Sequence, residues 1–214
     1  MIGPGQPLLV RGDVRTDLAR FPDDSVRVFY ADPPWHTKAW SQKGTARSPE
    51  NHYPVMKLPD IMALGPEIQR ISAPDSHLFL WTTGTHLQQA FAVLDAWGYR
   101  FSSMGFVWVK LKAHPQLFWD RFSFFVGLGK TTRKGTEFCL LGRRGQPRRE
   151  SASVREVIFA PVARHSEKPA ETYERIEAYS SGPYLELFAR RPRVGWSAIG
   201  NELERLDSES NSSR

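Results

Sequence analysis

A chain of 214 residues with 40% hydrophobic and 24% charged side chains suits one soluble domain with a full core and is short for two. No apolar run approaches the ~20 residues that span a bilayer, and the opening MIGPGQPLLVRGD has no signal-peptide architecture, so a cytoplasmic setting is expected and a membrane partner is not. The formal net charge is +6, and the single cysteine, Cys139, lies in the apolar stretch EFCLLG, which argues a buried thiol rather than a disulfide or a nucleophile. Six scattered histidines and no cysteine pair point to no metal site.

In chain order, LLVRGDV reads as a short strand ending in a turn, and VRVFYA (26–31) has the β-branched and aromatic make-up of a buried strand. Residues 36–52 are long, polar and bounded by aromatics, the composition of a mobile flap. HLFLWTT (77–83) is a further strand. In THLQQAFAVLDAWG, Leu87, Ala90, Phe91, Leu94 and Trp97 share one helical face, and Gly98 is the stop. FSSMGFVWVK and TEFCLLG are strands, EKPAETYERIEAYSSG is a helix from Pro169 to Gly182, and YLELFA and GWSAIGNE are the last two strands. The alternation predicts a three-layer α/β/α domain over residues 1–205, with a mostly parallel sheet, ligands at the strands' carboxyl ends and a flexible tail over 206–214.

The stretch FYADPPW is the most informative. Two prolines stop the strand's ladder, because neither carries an N–H and each holds the preceding residue extended. The carbonyls of Asp32 and Pro33 are thereby expected to lack ladder partners, so one carboxylate and two carbonyls stand beside the Trp35 indole. Such a row of acceptors suits a flat group bearing N–H donors, although a strand-ending turn with a packed Trp fits the same residues. The other strand ends help to decide. Asp13 follows LLVRG, Arg190 follows YLELFA, and Asn201 and Glu202 follow WSAIG. An acid at such a position commonly takes the hydroxyls of a nucleoside ribose. The order is unusual for that fold, since the cofactor strands come last. Residues 121–155 also hold nine lysines and arginines against two glutamates, more than the surplus of the whole chain. A charge run is usually a solvated face, but the Gly and Pro of GRRGQPRR also suit a loop that grips phosphates.

GDVRTDLARFPDDSVRVFYADPPW resembles the opening of a permuted, β-class amino-methyltransferase. Its DPPW form is similar to the N6-adenosine methyltransferase catalytic-subunit family and that family's bacterial and phage relatives. The likeness continues through HLFLWTTGTHLQQAFAVLDAWGY, TEFCLLGRRGQPRR, HSEKPAETYERIEAYSSGPYLELFARR and GWSAIGNEL, covering residues 8–204. The resemblance implies a Rossmann-like class I fold with permuted motif order. It also implies S-adenosyl-L-methionine as methyl donor and the exocyclic amine of adenine as acceptor. Asp32 and the Pro33 carbonyl would accept that amine's N–H bonds within the catalytic set Asp32, Pro33, Pro34 and Trp35, with Trp35 and Tyr53 packing on the ring. For the cofactor, Asp13 with the Val14 backbone would hold its adenine and Asn201 with Glu202 its ribose. Arg190, Asp32 and the Ser166 and Lys168 of the block that begins at His165 would stand beside it.

Departures from the family bear on the same residues. The glycine-rich loop of most class I methyltransferases is absent and FARRPRVGW stands there, so arginines are expected to meet the methionine carboxylate. Thr136 precedes Glu137 where animal members carry a lysine, and Lys134 is the nearest substitute. Lys134, Arg143, Arg144, Arg148 and Arg149 are expected to contact nucleic acid. DNA is favoured over RNA by likeness to compact bacterial and phage members. An RNA adenosine methyltransferase and a non-catalytic nucleic-acid-binding subunit are the alternatives, and the intact DPPW argues against the second. The amine of a paired adenine cannot reach such a turn, so unpaired or flipped bases are expected substrates, with a second copy of the chain gripping the other strand of a duplex.

Overall fold

Strands β1 (Leu9–Arg11), β2 (Val26–Ala31), β3 (Ser72–Thr82), β4 (Arg100–Leu111), β5 (Thr136–Arg144), β6 (Val157–Pro161), β7 (Tyr184–Leu187) and β8 (Trp196–Gly200) form one sheet in the order β1-β8-β7-β2-β3-β5-β4-β6. They come from a computed structural model that describes residues 6–36, 55–112, 124–127, 131–162 and 167–203. Every neighbouring pair is parallel except β3 with β5 and β4 with β5, so β5 alone runs against the rest. The two strands that come last, β7 and β8, lie between β1 and β2. The mostly parallel sheet therefore stands as the sequence implies, with the last strands of the chain inside it.

Burial explains why these segments pair. In β2 every residue but Arg27 is buried, the pattern of a strand covered on both faces. One cover is made by α1 (Val14–Asp17), a 3₁₀ turn (Leu18–Arg20), α2 (Leu58–Met62), α3 (Gly65–Ile71) and α4 (Leu87–Ala96). Val14, Leu18, Ile61, Ile68, Val93 and Trp97 pack there on Phe29, Ala31, Leu78 and Leu80. The other cover is α5 (Glu171–Tyr179), whose Ile176 joins Tyr30, Phe79, Trp81, Trp108 and Trp196.

The differences from the sequence reading are local. Helices α2 and α3 have no counterpart in it, although Pro59 and Pro66 stand at helix starts and Ile61, Leu64, Ile68 and Ile71 keep helical spacing. Strand β6 was likewise unmarked. On α4 the buried face is Ala90, Val93, Leu94 and the following Trp97, while Phe91 is half-buried and meets the exposed Phe101 edge-on with centroids 5.0 Å apart. Gly98 ends the helix with φ +80, a conformation glycine adopts without penalty. Helix α5 begins after Pro169 and stops at an extended Ser180, short of Gly182 at its end. Cys139 is a buried thiol, as expected.

No helix among the described residues is long and apolar enough to cross a membrane. The 36–52 flap beyond His36 and the 206–214 tail lie outside the described residues.

Candidate active site

The order of the parallel strands reverses at β2: the chain passes outward from β2 to β3 on one side and from β7 to β8 on the other. Ligands of such sheets bind outside the strands' carboxyl ends at that reversal. Asp13, Asp32, Arg190, Asn201 and Glu202 all emerge there. With Val14, Pro34, Met56 and Phe188 they line a cavity of about 260 Å³. At Gly200 an added Cβ would lie 1.9 Å from the Ala189 carbonyl oxygen, so only glycine lets β8 pass close enough to bring Asn201 and Glu202 beside Arg190. The Arg190 Nε stands 3.7 Å from a Glu202 carboxylate oxygen. Asp13 caps α1 and accepts from the Arg15 N–H at 2.9 Å, and the Arg15 guanidinium holds its carboxyl below the usual range.

The turn after β2 differs from expectation at one carbonyl. The Trp35 N–H donates to the Pro33 oxygen at 2.8 Å, and the Met56 N–H to the Pro34 oxygen at 2.8 Å. Pro33 therefore has a partner, because the turn closes within three residues. A carbonyl has two lone pairs, so one acceptor site on Pro33 remains. Trp35 is buried and lines neither cavity described here. Its indole N–H donates to the Trp81 carbonyl at 3.1 Å, and its ring stacks on His86 with centroids 5.7 Å apart. His86 is fixed in turn by Thr83, whose hydroxyl lies 2.9 Å from Nδ1. Trp35 thus anchors the turn in the sheet.

Asp32 is the first member of a row of alternating charges. Its Oδ2 accepts from the Lys168 ammonium, which also stands 3.2 Å from Glu137 Oε2, while Lys110 reaches Glu137 Oε1 at 2.5 Å. The Lys168 side chain is only 8% exposed and lies 5.5 Å from the centre of the Trp81 ring. Burial alone would lower its pKa, but the Asp32 and Glu137 carboxylates outweigh burial and hold it at about 12. Burial likewise pushes the Glu137 carboxyl up, and Lys168 and Lys110 bring it below its ordinary value. Lys110 reaches Glu137 across the β4–β5 ladder. Lys134 is exposed, 3.3 Å from the Thr132 hydroxyl, and lines neither cavity.

A smaller cavity, about 40 Å³, shares Asp32, Phe188 and Arg190 with the first and adds Lys168, Tyr173, Glu186 and Arg191. Glu186, on β7, is buried, and the Tyr173 hydroxyl lies 3.0 Å from both its oxygens. Burial raises its carboxyl to about 8 against the pull of that hydroxyl, with the Asp32 charge adding to the rise. Phe188 has φ +63, an outlier for a bulky side chain and a form of strain that clusters at ligand sites. Arg190 and Arg191 line this cavity, whereas Arg193 is occupied with Glu177 at 3.0 Å.

The sequence reading missed Glu186, Tyr173 and Lys110. The available signal was a charge inside an otherwise apolar strand, in YLELF and in VWVKL, because lone buried charges are rare without a purpose. Tyr53, His165 and Ser166 lie outside the described residues. Arg143, Arg144, Arg148 and Arg149 are not brought to this site. In the β3–β5 register Phe138 pairs with Thr82 and Arg144 with Ser76, so the arginines stand at the opposite edge of the sheet, the one formed by the amino ends of the parallel strands.

The fold and the strand-end cavity define an α/β protein with a ligand site at the carboxyl ends of its parallel strands and a carboxylate turn set beside it. Residues 26–202 match the MT-A70 family; the chain belongs to that family and is a methyltransferase. It is 30% identical to the type II methyltransferase M.MunI of a Mycoplasma species, over 86% of this chain and 80% of that protein. It is 28% identical to a putative N(6)-adenosine-methyltransferase MT-A70-like of Medicago truncatula, over 93% of this chain but 30% of that protein. It is 26% identical to the human N(6)-adenine-specific methyltransferase METTL4, over 82% of this chain and 37% of that protein.

Proposed function

We propose that the chain methylates the N6 amine of adenine in nucleic acid, DNA ahead of RNA, with S-adenosylmethionine as donor. The observation that carries this reading is Asp32. Its Oδ2 is engaged by Lys168, and among the described residues its Oδ1 takes no hydrogen bond, beside a cavity lined by Asp13, Asn201 and Glu202. The residues fit the donor: acids for ribose hydroxyls in the larger cavity, and Lys168 and Arg191 in the adjoining one for a carboxylate, with Arg190 lining both. When bound, that donor supplies an electrophilic methyl group on a sulfonium.

The chain's own residues do the rest. An adenine amine is a poor nucleophile because its lone pair is delocalised into the ring. Asp32 Oδ1 and the remaining lone pair of Pro33 accept its two N–H bonds, which favours a pyramidal nitrogen and exposes its lone pair. The fixed carboxylate also opposes the positive charge that grows on nitrogen and is placed to receive the proton that nitrogen loses. Positioning and electrostatics supply the rate, with no covalent intermediate. A second copy of the chain completes activity on paired DNA, and the setting is the cytoplasm of a bacterium or of a phage-infected cell.

The test is incubation with methyl-labelled S-adenosylmethionine and separate DNA and RNA pools, followed by mass spectrometry of the nucleosides. Labelled N6-methyldeoxyadenosine is expected, with less label in RNA. Label on cytosine, or none on either pool, would contradict the reading.

A further inference from the structure

We infer that the opposite edge of the sheet is a second nucleic-acid contact, where Arg100, Arg143, Arg148 and Arg149 hold backbone phosphates of a stretch remote from the target base. This rests on the nucleic-acid substrate proposed above and adds where the rest of that substrate lies.

The placement follows from strand direction. Strand β3 ends at the active-site edge with Thr82, opposite Phe138, and Ser76 near its start pairs with Arg144. Six steps of about 3.3 Å put the two edges roughly 20 Å apart. At the far edge Arg143 faces Arg100 directly across the β4–β5 ladder, and both are exposed. Like charges directly opposite destabilise a strand pair, so the fold gains nothing from this arrangement. The loop that follows carries Arg148 and Arg149 and is tied at both ends. The Gln146 N–H donates to Asp75 at 2.7 Å, and the Glu150 N–H to the Tyr179 carbonyl at 2.8 Å. Those two ties carry the loop from the start of β3 to the end of α5, on the face from which Arg143 projects. Gly145, with φ +63, turns the chain out of β5 just before the first tie, and a Cβ there would meet an Asp75 oxygen at 2.2 Å.

Arginines that serve the fold here are recognisable by their partners. Arg70 binds Asp23 and Glu67, Arg175 binds Glu171, Arg193 binds Glu177, and Arg144 donates to the Gln69 carbonyl at 2.7 Å. Among the described residues, Arg100, Arg143, Arg148 and Arg149 have no carboxylate within 4.0 Å. The nearby acids are otherwise engaged, Asp75 by Gln146 and Glu150 by the Ser181 hydroxyl at 3.3 Å. Four uncompensated guanidinium groups on a braced ledge suit a repeating anion. A duplex leaving the active-site mouth, with one charge per about 1.7 Å of axis, supplies it.

The experiment measures binding, by fluorescence polarisation, to duplexes of about 10 and about 30 base pairs with a central target adenine. Their half-lengths of roughly 17 and 50 Å fall short of, and extend past, the distance between the edges. The proteins are wild type, an Arg143→Ala, Arg148→Ala, Arg149→Ala triple, and the corresponding triple to Lys. The Ala triple should lose about three- to tenfold in affinity for the long duplex and flatten its salt slope by roughly 0.9 per lost contact. The short duplex should bind as it does to wild type, and the Lys triple should keep most of the long-duplex advantage. Equal losses on both lengths, or none on the long one, would overturn the inference. Methylation of both duplexes by wild type separates the two readings. Transfer with no length-dependent loss removes the second contact alone, and length-dependent loss with no transfer to adenine removes the proposed reaction alone.

Discussion

The two edges of the sheet use charge in opposite ways. At the carboxyl edge Asp32, Lys168, Glu137 and Lys110 neutralise one another in sequence, so that position, not net charge, is what they provide. At the other edge Arg100 and Arg143 stand face to face without an acid between them. Compensated charge is held in one geometry by its partners, which suits a group that must meet one amine in one orientation. Uncompensated, exposed charge is adaptable and salt-sensitive, which suits a backbone of any sequence. Chemistry and grip are thus separated by the length of a strand.

Changes at the first edge should strike rate and stability. Asp32→Ala should lower the single-turnover rate by at least about 10²- to 10³-fold, as loss of a preorganised electrostatic group does, with little change in nucleic-acid affinity. A variant within tenfold of wild type would remove Asp32 from the chemistry. Lys168→Met leaves Asp32 and Glu137 without the cation between them and should cost about 3–5 kcal/mol in denaturant unfolding, besides activity. The linkage has a definite sign. The folded state raises the Lys168 pKa from 10.5 to about 12, so its contribution is whole below pH 10.5 and is lost as pH rises through 12. Wild type should therefore lose stability across that window in a way the variant does not.

Glu202→Ala should weaken S-adenosylmethionine and its demethylated product alike, by roughly 1–3 kcal/mol for lost charged hydrogen bonds. Calorimetry showing unchanged affinity for both would remove Glu202 from the cofactor site. The smallest effect is a slope. The Glu186 carboxyl rises from 4.5 to about 8 on folding, so its contribution is whole below pH 4.5 and lost as pH rises through 8. Glu186→Gln should flatten the fall in stability between those values. An unchanged profile would mean that Glu186 is already ionised in the fold.

The contrast between the edges also explains what could be read in advance. The DPPW turn and the polar groups at Asp13, Arg190, Asn201 and Glu202 were legible because Pro, Gly and polar residues punctuate strand ends. The row from Asp32 to Lys110 was not, since it is assembled by β5 lying between β3 and β4, and sequence order carries no record of that insertion. The same strand hid the position of the arginine block. An antiparallel β5 delivers its end to the far edge, where a parallel strand would have delivered it beside Asp32. Helices α2 and α3 escaped notice because each is short and carries a proline in its first turn, which reads first as a break.

The most direct test of the central claim uses an oligonucleotide with one adenine and a partner in which purine, lacking the exocyclic amine, replaces it. Wild-type protein should place one labelled methyl on N6 of the adenine strand and none on the purine strand. Label retained on the purine strand, or found at a ring nitrogen of adenine, would contradict the assignment of Asp32 as the acceptor that presents the N6 amine.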